Sequence, residues 1–221
     1  MKLLIEALTK FTCGLLLVAL LIFLPAGTLG YAYGWLLIGL LFGPMLIAGL
    51  VMLTKKPEFL KKRLDAKEKQ GTQKGVVAIS GLMFVIGFVV AGLDFRFGWS
   101  AMPIWVVITA SVLFLTAYAL YAEVMRENAY LSRTVKVENG QTVVDTGLYG
   151  IVRHPMYAVT ILLFLMIPLV LGSWYALIVF AFYPAIIVVR LKDEEELLNR
   201  ELPGYEAYQQ KVKYRLFPYI W

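Results

Sequence analysis

The chain has 221 residues, of which 60% are hydrophobic and only 16% charged, with a mean hydropathy of +0.74. That composition excludes an ordinary soluble domain, whose water-exposed surface needs more charge than this. The net charge of +6 is not read as nucleic-acid binding, because basic residues collect in the cytosolic loops of membrane proteins and near anionic headgroups.

Apolar runs of about 18 residues or more read as membrane-spanning helices. Six runs are predicted, over residues 11–29, 33–53, 75–93, 101–122, 155–171 and 174–189. The first is long, lacks a small-residue cleavage site and is followed at once by another apolar run, so it reads as a span rather than a signal peptide. Between the second and third runs, residues 55–74 are strongly basic. They are predicted to form an amphipathic helix on the headgroups, with Phe59, Leu60 and Leu64 opposite a lysine-rich face; a disordered loop is the alternative. In the polar segment 123–153, residues 135–144 read as two short extended runs around an Asn139-Gly140 turn. The last two apolar runs are joined by Gly172-Ser173 and form a helical hairpin. At 1.5 Å per residue each arm is only ~25 Å long, against a hydrocarbon core of ~30 Å, so the hairpin either spans or dips. A second polar segment, 190–221, follows it and breaks at Pro203-Gly204.

The expected fold is an all-α, polytopic integral membrane protein of about six transmembrane helices, including the short C-terminal hairpin. It divides into an N-terminal hairpin with its basic loop (1–74) and a membrane-embedded module (75–221). The 21 basic residues set the orientation: the connections 30–31, 94–100 and 172–173 hold only Arg96. Both termini are therefore expected in the cytoplasm, and both polar segments then flank the hairpin on one face.

Chemistry has few carriers in this chain. Cys13 is the one cysteine and His154 the one histidine, which leaves no intramolecular disulfide and no metal site of usual composition. His154 precedes Pro155, which suits the first turn of a helix. With Arg153 beside it, that helix start is favourable for an anion; the plainer alternative is a basic anchor with Tyr157 as an interfacial aromatic. Arg190 and Glu194 are four apart and can pair on one helix face, and a charge at the hydrophobic boundary is costly unless used. Tyr205, Tyr208, Tyr214 and Trp221 read most simply as interfacial aromatics.

In succession, Gly147-Leu148-Tyr149, Arg153-His154-Pro155-Met156-Tyr157, Arg190-x-x-x-Glu194-Glu195 and the tail from Tyr205-x-x-Tyr208 to Pro218 resemble the isoprenylcysteine carboxyl methyltransferase family. Relatives of that family methylate phospholipid amines or thiols. The Arg-His-Pro-x-Tyr segment is also similar to one in NADPH-dependent membrane sterol reductases, whereas its combination with Arg-x-x-x-Glu-Glu is more specific. The resemblance implies a cytosolic pocket for S-adenosyl-L-methionine, with Gln141, Thr142, Val143, Val144, Tyr149, His154, Pro155, Met156, Tyr157 and Glu194 as cofactor-binding residues. It places Arg190 at the methyl acceptor, with Glu195 as the helper base for an amine acceptor. A cofactor-contacting glutamine of some members falls near Thr134, a departure from the family pattern. The expected partners are membrane lipids and a lipophilic acceptor entering from the bilayer, an isoprenylcysteine-type carboxylate or similar, with no nucleic acid and no metal. The alternatives are a phospholipid N-methyltransferase or thiol methyltransferase of the same fold, an NADPH-dependent membrane reductase, and a non-enzymatic lipid- or partner-binding membrane protein.

Overall fold

The computed structural model describes residues 2–65, 71–132 and 134–221. In chain order the helices are α1 (Lys2–Ala26), α2 (Ala32–Lys55), α3 (Pro57–Leu64), α4 (Gly71–Phe97), α5 (Ile104–Glu127), α6 (Pro155–Val170), α7 (Trp174–Phe180), α8 (Tyr183–Glu201) and α9 (Tyr205–Lys211), with a short 3₁₀ turn over Gly147–Gly150. No strand occurs among the described residues. Five stretches are long and apolar enough to cross a membrane, Lys2–Ala26, Ala32–Lys55, Gln73–Phe97, Ile104–Glu127 and Trp174–Glu201. They make this a multi-pass membrane protein. The predicted run 155–171 is present as α6, a shorter apolar helix of 16 residues.

Lipid-facing and buried positions separate clearly. Leu16, Leu24, Ile47, Leu82 and Trp105 stand on the surface of the bundle, while Ile22, Leu37, Phe114, Ile167 and Phe180 are sealed within it. A sheath of exposed apolar side chains is stable only where lipid replaces water. Where α1 crosses α4 the backbones come close, and a β-carbon at Gly92 would lie 2.5 Å from the Ile22 carbonyl oxygen. Glycine is the residue that permits this approach. Around α6 and α7 the packing is aromatic, with Phe84 edge-on to both Phe164 and Phe180.

The structure resolves how far the C-terminal hairpin reaches. Tyr31, between α1 and α2, donates its hydroxyl to the Leu171 carbonyl at the α6–α7 turn. Ser173 of that turn donates to Asp94 at the end of α4. Asp94 also accepts from the Ser100 backbone amide at 2.7 Å and hydroxyl at 2.6 Å, and the Trp174 amide donates to Ser100 Oγ at 3.0 Å. Asp94 is buried, and these three donors replace the water its carboxylate gives up. All three connections of one bundle face thus meet, so the hairpin traverses the full bundle. Its second arm is broken at Ala181-Phe182 because Pro184, in the first turn of α8, has no amide to continue the helix from α7.

The 16-residue α6 packs against the 24-residue α5, and a recess opens at the polar face around the start of α6.

Two local expectations are corrected. Asn139-Gly140 does form a turn, with Gly140 at φ +74° and the Gln141 amide donating to the Glu138 carbonyl at 3.0 Å, but its flanks run as irregular chain without a β ladder. They pack as single layers on other elements: Val137 and Val143 lie on a cluster of Leu198, Leu202, Tyr205, Tyr208 and Val212. The basic helix covers only Pro57–Leu64 of the predicted 55–74, and 66–70 lie outside the described residues. Two residues of its predicted apolar face pack on the protein: Leu60 is buried, and Phe59 sits on a cluster of Val124, Leu131 and Tyr149.

Candidate functional site

A cleft opens at the polar face, enclosing about 840 Å³ including the part open to solvent. Its walls come from the 128–146 segment, the 3₁₀ turn, the start of α6, the polar half of α8, and Tyr205 and Tyr208 of α9. Gly147 starts the turn at φ +53°, and a β-carbon there would lie 2.8 Å from Glu127 Cδ. The positive φ favours glycine there, and a side chain would also have to displace that of Glu127. The turn aims Tyr149 inward, where Asn128 Nδ2 donates to its hydroxyl at 3.0 Å and the Tyr208 hydroxyl donates to its carbonyl at 2.7 Å.

Tyr157 stands at the centre of a polar group. In the first turn of α6, its hydroxyl donates to Glu194 Oε2, and Arg190 Nε donates to the same hydroxyl at 3.0 Å. The expected Arg190–Glu194 proximity is therefore organised through the phenol oxygen, which sets one cation and one carboxylate side by side along the cleft wall. Gln73 of α4, fully buried, supports this part of α8 by donating to the Arg190 carbonyl at 3.4 Å and to the Asp193 carboxylate.

Glu195 does something else. Consecutive helical residues point about 100° apart, so Glu195 turns away from the cleft into a buried ionic knot. Arg153 Nε donates to its Oε1 at 2.8 Å, His154 Nε2 lies 3.2 Å from the same oxygen, and Arg215 Nε donates to Oε2 at 2.8 Å. Arg153 also donates to the carbonyls of Val212 and Lys213 at 2.9 and 3.0 Å. Its own amide and that of His154 donate to the Tyr214 and Arg215 carbonyls, both at 2.9 Å. The C-terminal tail is thereby sewn to the start of α6 and to α8. By this point α8 has left its apolar stretch, which ends at Val189. Burial alone would raise the Glu195 carboxyl, but hydrogen bonds from His154 and Arg153 outweigh it and hold the group down at about 2. Glu195, expected as a helper base, is not among the residues lining the cleft and is held in this knot instead.

The other predicted residues divide simply. Gln141, Thr142, Val143, Val144, Tyr149, His154, Met156, Tyr157, Arg190 and Glu194 all line the cleft, as does Thr134. Pro155 is buried behind the wall at the first helical position, where it starts α6 rather than contacting the space. Arg153, expected beside an anion, is committed to Glu195 and the tail. Sequence reasoning missed the parts played by Asn128, Tyr205 and Tyr208. The spacing of the two tyrosines after Pro203-Gly204 was the available signal, since residues three apart share a helix face. Burial, with the nearby carboxylates of Glu195 and Glu194, pushes the Tyr205 phenol up, and burial does the same for Tyr208 and Tyr149. All three remain neutral hydroxyls at physiological pH.

Residues 104–200 match the isoprenylcysteine carboxyl methyltransferase family. A stretch of 91 residues, 40% of the chain, is 29% identical to a Delta(14)-sterol reductase of Mus musculus, of whose length it covers 22%. The chain thus spans about a fifth of that curated relative. The matched region contains α5, α6, α7 and nearly all of α8, with the Tyr157–Arg190–Glu194 group at its core, so residues 104–200 constitute a domain of the isoprenylcysteine carboxyl methyltransferase family.

Proposed function

We propose that the protein transfers a methyl group from S-adenosyl-L-methionine to a lipophilic acceptor that enters the cleft from the bilayer, on the cytosolic side. The observation that carries this reading is the Tyr157-bridged pair of Arg190 and Glu194 inside a domain of this family. The cytosolic orientation is supported by charge, because the three connections that meet around Asp94 hold a single basic residue, Arg96.

The residues present fit the cofactor. A cationic amine or ribose diol finds an anchored acceptor in Glu194, whose carboxylate is oriented by Tyr157. Val143, Val144, Leu197 and Leu198, with Tyr149, Tyr205 and Tyr208, offer an aromatic and apolar wall for a purine. When bound, S-adenosyl-L-methionine supplies an electrophilic methyl group on a sulfonium. The chain then has to hold an acceptor in line and keep water out. The recess between the 128–146 segment, the start of α6 and α8 serves the second need. Arg190 serves the first, through charge-assisted hydrogen bonds to an acceptor that arrives as an anion. With Glu195 locked in its ionic knot and the three phenols neutral, an acceptor that needs no deprotonation fits best. An isoprenylcysteine-type carboxylate is favoured over a phospholipid amine on that ground.

A second reading, an NADPH-dependent reductase, is favoured by the sterol reductase match. Against it stands the charge of the dinucleotide, which carries several phosphate groups. Two of the three basic side chains described along the cleft are tied to carboxylates, Arg153 to Glu195 and Lys136 to Glu138 at 3.6 Å, so few cations face several phosphates. Calorimetry on the purified protein in detergent separates the two. S-adenosylhomocysteine is expected to bind and NADPH not to bind at the same concentrations; saturable NADPH binding without S-adenosylhomocysteine binding would exclude methyl transfer.

A further inference from the structure

The basic helix α3 lies outside the 104–200 domain, and it is fastened at three points, one of them on the segment that walls the cleft. Lys10 Nζ, itself paired with Glu6, donates to the carbonyl of Leu64 at 2.7 Å and fixes the end of α3. Lys62 pairs with Glu138, on the 128–146 segment that walls the cleft, at 2.5 Å. Arg63 Nη2 donates to the Tyr121 hydroxyl of α5, with the guanidinium 5.5 Å from that ring.

Arg63 carries an anomaly. Its Nη1 is buried and has no hydrogen-bond partner. A buried guanidinium nitrogen left unsatisfied is costly, and such an orphan calls for a partner that the protein itself does not supply. Its surroundings adjoin the cleft through Tyr149. Phe59, four residues before it, packs on the cluster that includes cleft-lining Tyr149, and the Tyr149 phenol lies in electrostatic reach of Arg63, Tyr121 and Glu194. Tyr183 of α8 lies in reach of both Tyr121 and Arg190. Arg63 on α3 and Arg190 on α8 thus each lie near a member of the Tyr121, Tyr149 and Tyr183 group.

We infer that Arg63 is a specificity-determining residue of the acceptor site, its Nη1 taking a carboxylate oxygen of the lipophilic acceptor while Arg190 faces that acceptor from α8. The assignment rests on the methyl-transfer reading for the presence of an acceptor, and uses geometry that lies outside the matched domain. A carboxylate fits because it presents two acceptor oxygens to two cationic donors, whereas a carboxamide of the same shape has no charge and one oxygen.

The test uses the purified full-length chain in detergent, as wild type, R63Q and R63K. One probe is N-acetyl-S-farnesylcysteine, a lipophilic thioether carboxylate, and the other is its carboxamide; S-adenosylhomocysteine affinity is measured in parallel. Wild type is expected to prefer the carboxylate. R63Q should lower that preference by about tenfold, the scale of one hydrogen bond to a charged group. R63K should restore part of it, and S-adenosylhomocysteine affinity should stay unchanged. An R63Q preference equal to that of wild type overturns the assignment, as does an equal loss of carboxylate, carboxamide and S-adenosylhomocysteine binding in both variants. Loss of the preference in R63Q where S-adenosylhomocysteine fails to bind even the wild type would refute methyl transfer but uphold Arg63 as the reader of the carboxylate.

Discussion

Replacing Arg190 with alanine is expected to lower methyl transfer by about 100-fold, the scale seen when one preorganised charge-stabilising donor is removed from an active site. Affinity for S-adenosylhomocysteine should stay within about threefold of wild type, since loss of a contact made only to the acceptor leaves the cofactor's own contacts standing. The physical basis is the placement of Arg190 where α8 leaves its apolar stretch, lining the cleft with its Nε on the Tyr157 hydroxyl. A charge at that depth is costly to keep unless it is used. Steady-state transfer and calorimetry on the same preparation check both halves. If cofactor binding vanished while turnover per bound enzyme survived, Arg190 would belong to the cofactor rather than to the acceptor.

Glu195→Gln is expected to have the largest effect on stability. Glu195 is buried between Arg153, His154 and Arg215, and removing one partner of a buried ionic group strands the others. The cost is on the order of 3 kcal/mol, read as a lower thermal midpoint in detergent. The pH dependence follows from linkage. The folded carboxyl is held at about 2, below its ordinary 4.5, so its contribution is fully present above about 4.5 and is lost as pH falls toward about 2. Wild type should therefore lose its advantage over Glu195→Gln across that window. A variant as stable as wild type but inactive in transfer would restore Glu195 as a base.

The two carboxylates show where sequence reading stops. Glu194 and Glu195 are neighbours in an acidic run, and composition does not distinguish them. The 100° rotation per helical residue sends one to the cleft and the other to the knot, and which goes where depends on how α8 packs on α6. The spans, the hairpin, the Asn139-Gly140 turn and most of the cleft lining were legible, because apolar run length, turn residues and an ordered set of motifs are local signals. Arg63 was not. Its segment has the composition of a headgroup-binding helix, and only the burial of Leu60 and the packing of Phe59 on Val124, Leu131 and Tyr149 turn it inward. Likewise, Asp94 and Ser173 are 79 residues apart, and nothing local announces that they meet.

Transfer of a radiolabelled methyl group is the most direct measurement. Membranes containing the protein would be supplied with labelled S-adenosyl-L-methionine and N-acetyl-S-farnesylcysteine, then extracted into organic solvent and treated with base to release ester-bound methyl as methanol. Base-labile label is expected in wild-type extracts, with about a hundredth as much from the Arg190→Ala variant. Equal labelling from wild type, variant and protein-free membranes, with both the added carboxylate and the native lipids present, would contradict methyl transfer by this protein.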